Sequence, residues 1–243
     1  MAAAIRVIVG GREIPPSEVE RWERRRAASV LRRLGVRDVD AATVDIDDLR
    51  STLTERKLEL GHSGIEKRIG RQLAITARVA SVAAVVSRGR RRIARTDLLS
   101  DTGSATAFAA WFTDRVETAD EPRMLVACPD HYMVRRSPQG HNEVTETVGN
   151  APMPLRLTID YDDLASLRTP QDPDFSSRVE GVASSTLGVR IGGVRHQFRD
   201  EGTGFRARLA VEFPVLLPPP IADAHQMHLA CEFSNWIRAS LHD

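Results

Sequence analysis

A triple proline in this chain separates two elements of opposite character. Residues 205–213 alternate apolar and polar side chains, the period of a strand with one buried face. Pro218-Pro219-Pro220 then supply no backbone N–H, so strand pairing has to stop there. Asp223 with Gln226 makes a capping-box-like start to a helix reaching about Leu241. Residues 155–161 alternate in the same way, so the second half reads as a sheet closed by one long helix. Ile191-Gly192-Gly193-Val194 reads as a turn between two strands of that sheet.

The first half has a different texture. Residues 4–9 suit a short strand ended by Gly10-Gly11, and Ser17 with Glu20 fits a capping box opening a helix to about Leu34, stopped by Gly35. A second helix is expected from Asp47 or Asp48 to Leu60, with Asp45-Ile46-Asp47-Asp48 as its cap, and a third over 64–87, where Ile65, Ile69, Leu73, Val79, Val82 and Val86 recur at mostly helical spacing. The apolar length of this third helix exceeds what a lone surface helix needs, which predicts packing on the second half or on another copy, and so a homodimer. The change of texture places a boundary near 103: a mainly helical region over 1–103 and a catalytic domain over 104–243.

Charge and cysteine content narrow the setting. With 34 Lys plus Arg against 33 Asp plus Glu, the net charge of +1 provides no global field to recruit nucleic acid. The basic run from Arg88 to Arg95 follows a helix end, where cations complement the dipole, and has no aromatic residues interleaved for base stacking. Cys128 and Cys231 cannot make a disulfide framework, and MAAAIRVIVGG does not read as a secretory signal, so a reducing cytoplasm is the expected compartment. The apolar stretch 73–86 contains Arg78 and falls short of the roughly 20 residues a bilayer span requires, so no membrane partner is expected.

Chemistry concentrates in two places. On the last helix His225, His228 and Glu232 stand at i, i+3 and i+7 on roughly one face, and the i, i+4 pair His228/Glu232 can bring a nitrogen and a carboxylate oxygen to one cation. A solvated polar face is the alternative. The second cluster is Cys128, Asp130 and His131, continuing to His141, Glu143 and Glu146. Cys128 could ligate zinc as a thiolate, but without a C-x-x-C partner the better reading is a small buried apolar residue. If 143–148 is a strand, Glu146 shares a face with Val144 and Val148, and a buried carboxylate needs a partner or a metal, which favours Glu146 over Glu143.

Together these residues resemble the zinc-dependent diacetylphloroglucinol and phloretin hydrolases over roughly 108–241. The likeness rests on Trp111-Phe112, then Arg123-Met124-Leu125 and Pro129-Asp130-His131; on Val144-Thr145-Glu146-Thr147-Val148-Gly149; on His196-Gln197-Phe198-Arg199 with Gly204 and Arg206-Ala207-Arg208; and on His228-Leu229-Ala230-Cys231-Glu232. The resemblance implies an α+β helix-grip (START-like) fold, a curved antiparallel sheet around a long C-terminal helix and a cavity. It makes His131, Glu146, His228 and Glu232 plausible ligands of Zn2+.

It also implies cleavage of a carbon–carbon bond in an acylated phenol or a related 1,3-dicarbonyl or polyketide-like small molecule. His196 is the candidate proton carrier if it faces the cavity, the other reading being a strand-end surface histidine. Two further readings stand beside the hydrolase: a non-hydrolytic cyclase or rearrangement enzyme of natural-product biosynthesis, and a metal-free ligand-binding or regulatory module.

Overall fold

A computed structural model describes residues 3–137 and 139–242. Its centre is a nine-stranded antiparallel sheet with the order β2-β1-β3-β9-β8-β7-β6-β5-β4. The strands are β1 Ile5–Val9, β2 Arg12–Ile14, β3 Arg91–Ser100, β4 His131–Arg136, β5 Asn142–Glu146, β6 Leu155–Asp160, β7 Ser177–Ser185, β8 Arg190–Glu201 and β9 Gly204–Pro214. Five helices accompany them among the described residues: α1 Pro16–Arg33, α2 Ile46–Ser87, α3 Ala105–Thr118, α4 Glu121–Val126 and α5 Pro219–Ser240. The helix-grip architecture expected from the sequence is the one observed, with α5 packed on the sheet.

The boundary near 103 does not divide this sheet. β3 pairs with β9 over ten residues, from Arg91↔Pro214 to Ser100↔Phe205, and β1 pairs with β3. The two halves also share a core in which Val19 and Trp22 of α1 join Phe108 and Phe112 of α3, Phe198 and Phe205 of the sheet, and Phe233 and Trp236 of α5. Strand pairing across more than a hundred residues has no local signature, so the change of texture near 103 carries no trace of it.

The helix termini follow backbone chemistry. Asp45 caps α2 by accepting from Asp47 N and Asp48 N. The two predicted capping boxes do not form: Pro15 and Pro218 occupy the N-caps of α1 and α5 without side-chain cap bonds, and Pro at the first helical positions suits a site whose N–H has no intrahelical partner. The predicted second and third helices run on as α2, interrupted at Gly61 with φ 59° and ψ 176°. Gly192-Gly193 lies inside β8, because a Cβ at Gly192 would collide with the carbonyl of Glu212 on the neighbouring strand. The residues after 104 begin with α3 and α4, which place the aromatic block Phe108, Trp111 and Phe112 on a helix.

Between sheet and α5 lies a cavity of about 470 Å3. Its lining is predominantly aliphatic and aromatic, with His131, Glu146, His196, His225 and Glu232 among its few polar groups. The loop after β5 closes on α5 at Gly149, whose φ of 52° and close approach to Ile221 O and His225 N exclude a side chain.

Candidate metal centre

Three elements bring four of the sequence-predicted residues together. β4 begins with His131, whose register partner on β5 is Glu146, and a register shift between His131 and Met133 re-aims the strand at that point. α5 carries His228 and Glu232 one turn apart. His131 Nε2 lies 3.3 Å from Glu146 Oε2, 3.2 Å from Glu232 Oε2 and 3.3 Å from His228 Nε2. His228 Nε2 is 3.4 Å from Glu232 Oε2 and 3.7 Å from Glu146 Oε2.

These five separations, each between a histidine nitrogen and another ligand atom, fit a shared cation. Four ligands at the roughly 2.0–2.1 Å typical of zinc–nitrogen and zinc–oxygen bonds stand about 3.3 Å apart along each edge of a tetrahedron. Two buried imidazoles with facing Nε2 atoms cannot both hold protons there without opposing N–H groups, whereas a cation satisfies both lone pairs and both carboxylates. The outer nitrogen of His131 is oriented by Met124 O at 3.4 Å, which leaves Nε2 free to ligate. The second nitrogen of His228 faces Asp130 Oδ2 at 3.8 Å, and Asp130, fully buried, is held by Arg26 through contacts of 2.7, 2.8 and 3.0 Å.

The electrostatics are those of interlocked charges. Burial pulls the His131 imidazole down, but bonds to Glu146 and Glu232 outweigh it and raise the group to about 10. Burial likewise opposes ionisation of Glu146, yet the charge of His228 and the bond to His131 bring it to about 2. The same partners hold Glu232 below the ordinary carboxylate range.

Two neighbours complete the cluster. Cys128, read from sequence as core, is indeed buried, but its thiol lies 3.7 Å from His228 Nε2, and Cys128, His131 and His228 together form a group able to hold a metal. Glu146, His225 and His228 form another. His225 stacks on His228 at 4.5 Å between ring centroids, and burial followed by the charge of His228 lowers it to about 3. No spacing rule links Cys128 to His228, so only the fold reveals that contact.

The remaining candidates are placed elsewhere. His196 lines the cavity with its ring 4.8 Å from Phe233, which removes the surface reading. Burial lowers it to about 4, opposed by Glu232, and its Nδ1 has no hydrogen-bond partner among the described residues. Glu143 faces away from Glu146 and binds Arg135 at 2.6 Å, as the strand alternation required. His141 sits 3.8 Å from Asp160, apart from the cluster. Tyr161 lines the cavity, whereas Tyr132 is buried against Arg33 at 2.7 Å.

No protein-family model matches the chain, and no curated protein matches it. Among solved structures, the crystal structure of Ara h 8.0201 is similar at 13% sequence identity and a TM-score of 0.42, over 63% of this chain and 100% of that one.

Proposed function

We propose that the chain is a metal-dependent hydrolase that cleaves the bond between a ring carbon and an acyl carbon in an acylated phenol or a related 1,3-dicarbonyl compound, with zinc held by His131, Glu146, His228 and Glu232. The observation that carries the reading is the approach of the His131 and His228 Nε2 atoms to each other and to the Glu146 and Glu232 carboxylates at 3.2–3.7 Å, with His131, Glu146 and Glu232 lining an apolar cavity. A bound divalent cation supplies a Lewis acid that polarises a carbonyl and acidifies water.

The chain's own groups then orient and protonate. The apolar walls exclude bulk water and hold an aromatic ring by its faces, while Tyr161 and Asn142 offer polar atoms to ring oxygens. Water adds its oxygen to the acyl carbon and a proton to the ring carbon, so the products are a carboxylic acid and the deacylated ring. His196, lowered to about 4, is neutral at pH 7; it accepts the proton released by water and returns it to the ring carbon as the carbon–carbon bond breaks.

A second reading, a ligand-binding module without chemistry, is favoured by the mainly apolar lining, which suits retention of a hydrophobic molecule. Incubation with acylated phloroglucinols in oxygen-18 water separates the readings. Label in the released acid supports the hydrolase; product rearrangement without label supports a cyclase; tight binding with no turnover in zinc-loaded protein supports the binding module.

A further inference from the structure

The C-terminal half of α2 buries one stripe and leaves another exposed. Leu73, Ala77, Ser81 and Ala84 are buried, but Val79 is 61% exposed, Val82 63%, Val85 64% and Val86 53%, with Ile75 at 38%. At about 100° per residue, Arg71, Ile75, Arg78, Val79, Val82, Val85 and Val86 fall in one arc of about 120° on the face opposite the buried stripe. From 67 to 96 the chain carries Lys67 and Arg68, Arg71, Arg78, Arg88, Arg90, Arg92 and Arg95, with Arg91 turned inward to Glu212, and the segment holds neither Asp nor Glu. The helix is long and apolar enough to cross a membrane by length and composition. Its inner stripe is packed on the protein, so an orientation parallel to a surface is the one its contacts allow.

From this combination we propose that the outer face of α2 docks on an anionic phospholipid bilayer, with valines in the acyl boundary and the flanking arginines on lipid phosphates. An amphipathic interfacial helix needs both features, an apolar face and basic flanks. Charge decides against the second copy that apolar length by itself suggested. A two-fold contact centred on this face would set Arg78 near its own symmetry mate, with no acid in the segment to neutralise it. Val79 also lines the 470 Å3 cavity, as do Ala80 and Ala83, so docking sets a cavity wall against the lipid and points to a ligand that partitions into membranes. The surface is independent of the reaction class proposed above.

Flotation of the intact protein with phosphatidylcholine vesicles, with and without about one-third phosphatidylglycerol, tests the proposal, with sedimentation equilibrium run in parallel. The expected result is binding to the anionic vesicles at least about tenfold stronger than to neutral ones, weakened by salt, and lost by about tenfold or more in Val82→Asp/Val86→Asp and in Arg71→Glu/Arg78→Glu. These positions are exposed, and circular dichroism checks that both variants keep the fold. Equal binding to neutral vesicles, no binding to either, or unchanged binding by the variants would overturn it. So would a wild-type dimer that Val82→Asp/Val86→Asp converts to monomer, since the occupant would then be a second copy.

Discussion

Lys57 provides a test of how burial and charge are balanced in this fold. Its side chain is on α2, the residue is 1% exposed, and among the described residues the ammonium has a single long bond of 3.4 Å, to Cys128 O. Burial lowers the group from 10.5 to about 8, against the opposing pull of Cys128, Asp130 and Glu121. Below pH 8 the folded and unfolded chains both hold the proton, and the native state carries the whole desolvation penalty. Between pH 8 and 10.5 the folded chain releases the proton while the unfolded chain keeps it, so this contribution to stability rises with pH and levels off above 10.5.

Lowering the group from 10.5 to about 8 corresponds to about 3 kcal/mol. An adjoining cavity of about 240 Å3, lined also by His62, Glu121 and Tyr132, is large enough to admit water, which reduces the expected figure. Allowing for that water, Lys57→Met, which keeps the stem and removes the charge, should stabilise the protein by about 2 kcal/mol at pH 7, or about 4–8 °C in Tm for a chain of this size. Urea unfolding from pH 6 to 10.5, with metal chelated in both proteins, measures it. The gain should shrink steadily above pH 8. A variant no more stable than wild type at pH 7, or an advantage that does not change with pH, would refute the argument.

Other outcomes concern the proposed centre. Elemental analysis should find about one zinc per chain, with occupancy falling in His228→Ala and in Glu232→Gln while the chain stays folded; full occupancy in both would remove the ligand assignment. Cys128→Ala should retain the metal if the two carboxylates are ligands, and lose it if the thiolate group is the true donor set. His196→Gln should lower turnover of a cleaved acylphenol by about two to four orders of magnitude with zinc content unchanged; equal turnover would release His196 from the proton-carrying role. Arg26→Met should cost about 3–5 kcal/mol by stranding the buried Asp130 carboxylate, read as a drop in the urea midpoint, whereas the double change with Asp130→Asn should recover much of it.

Local periodicity made part of this protein legible. Alternation in 155–161 and 205–213 marked strands because side chains on a strand change face at every residue, and the same rule put Glu146 with Val144 and Val148 and turned Glu143 away. Helical spacing put His228 beside Glu232 because residues four apart share a face. What no local rule contains is the meeting of residues distant in the chain. His131 and His228 are 97 positions apart, Arg26 and Asp130 104, and Cys128 and His228 100. Their contacts follow from β4 and β5 closing against α5 and from α1 packing over that junction. In the same way β3 joins β9, although 1–103 reads as a separate helical region, because strand pairing is a tertiary choice between edges. The outward valines of α2 carry the same helical pattern as its buried residues. Only the position of the sheet determines which stripe is covered and which is left exposed.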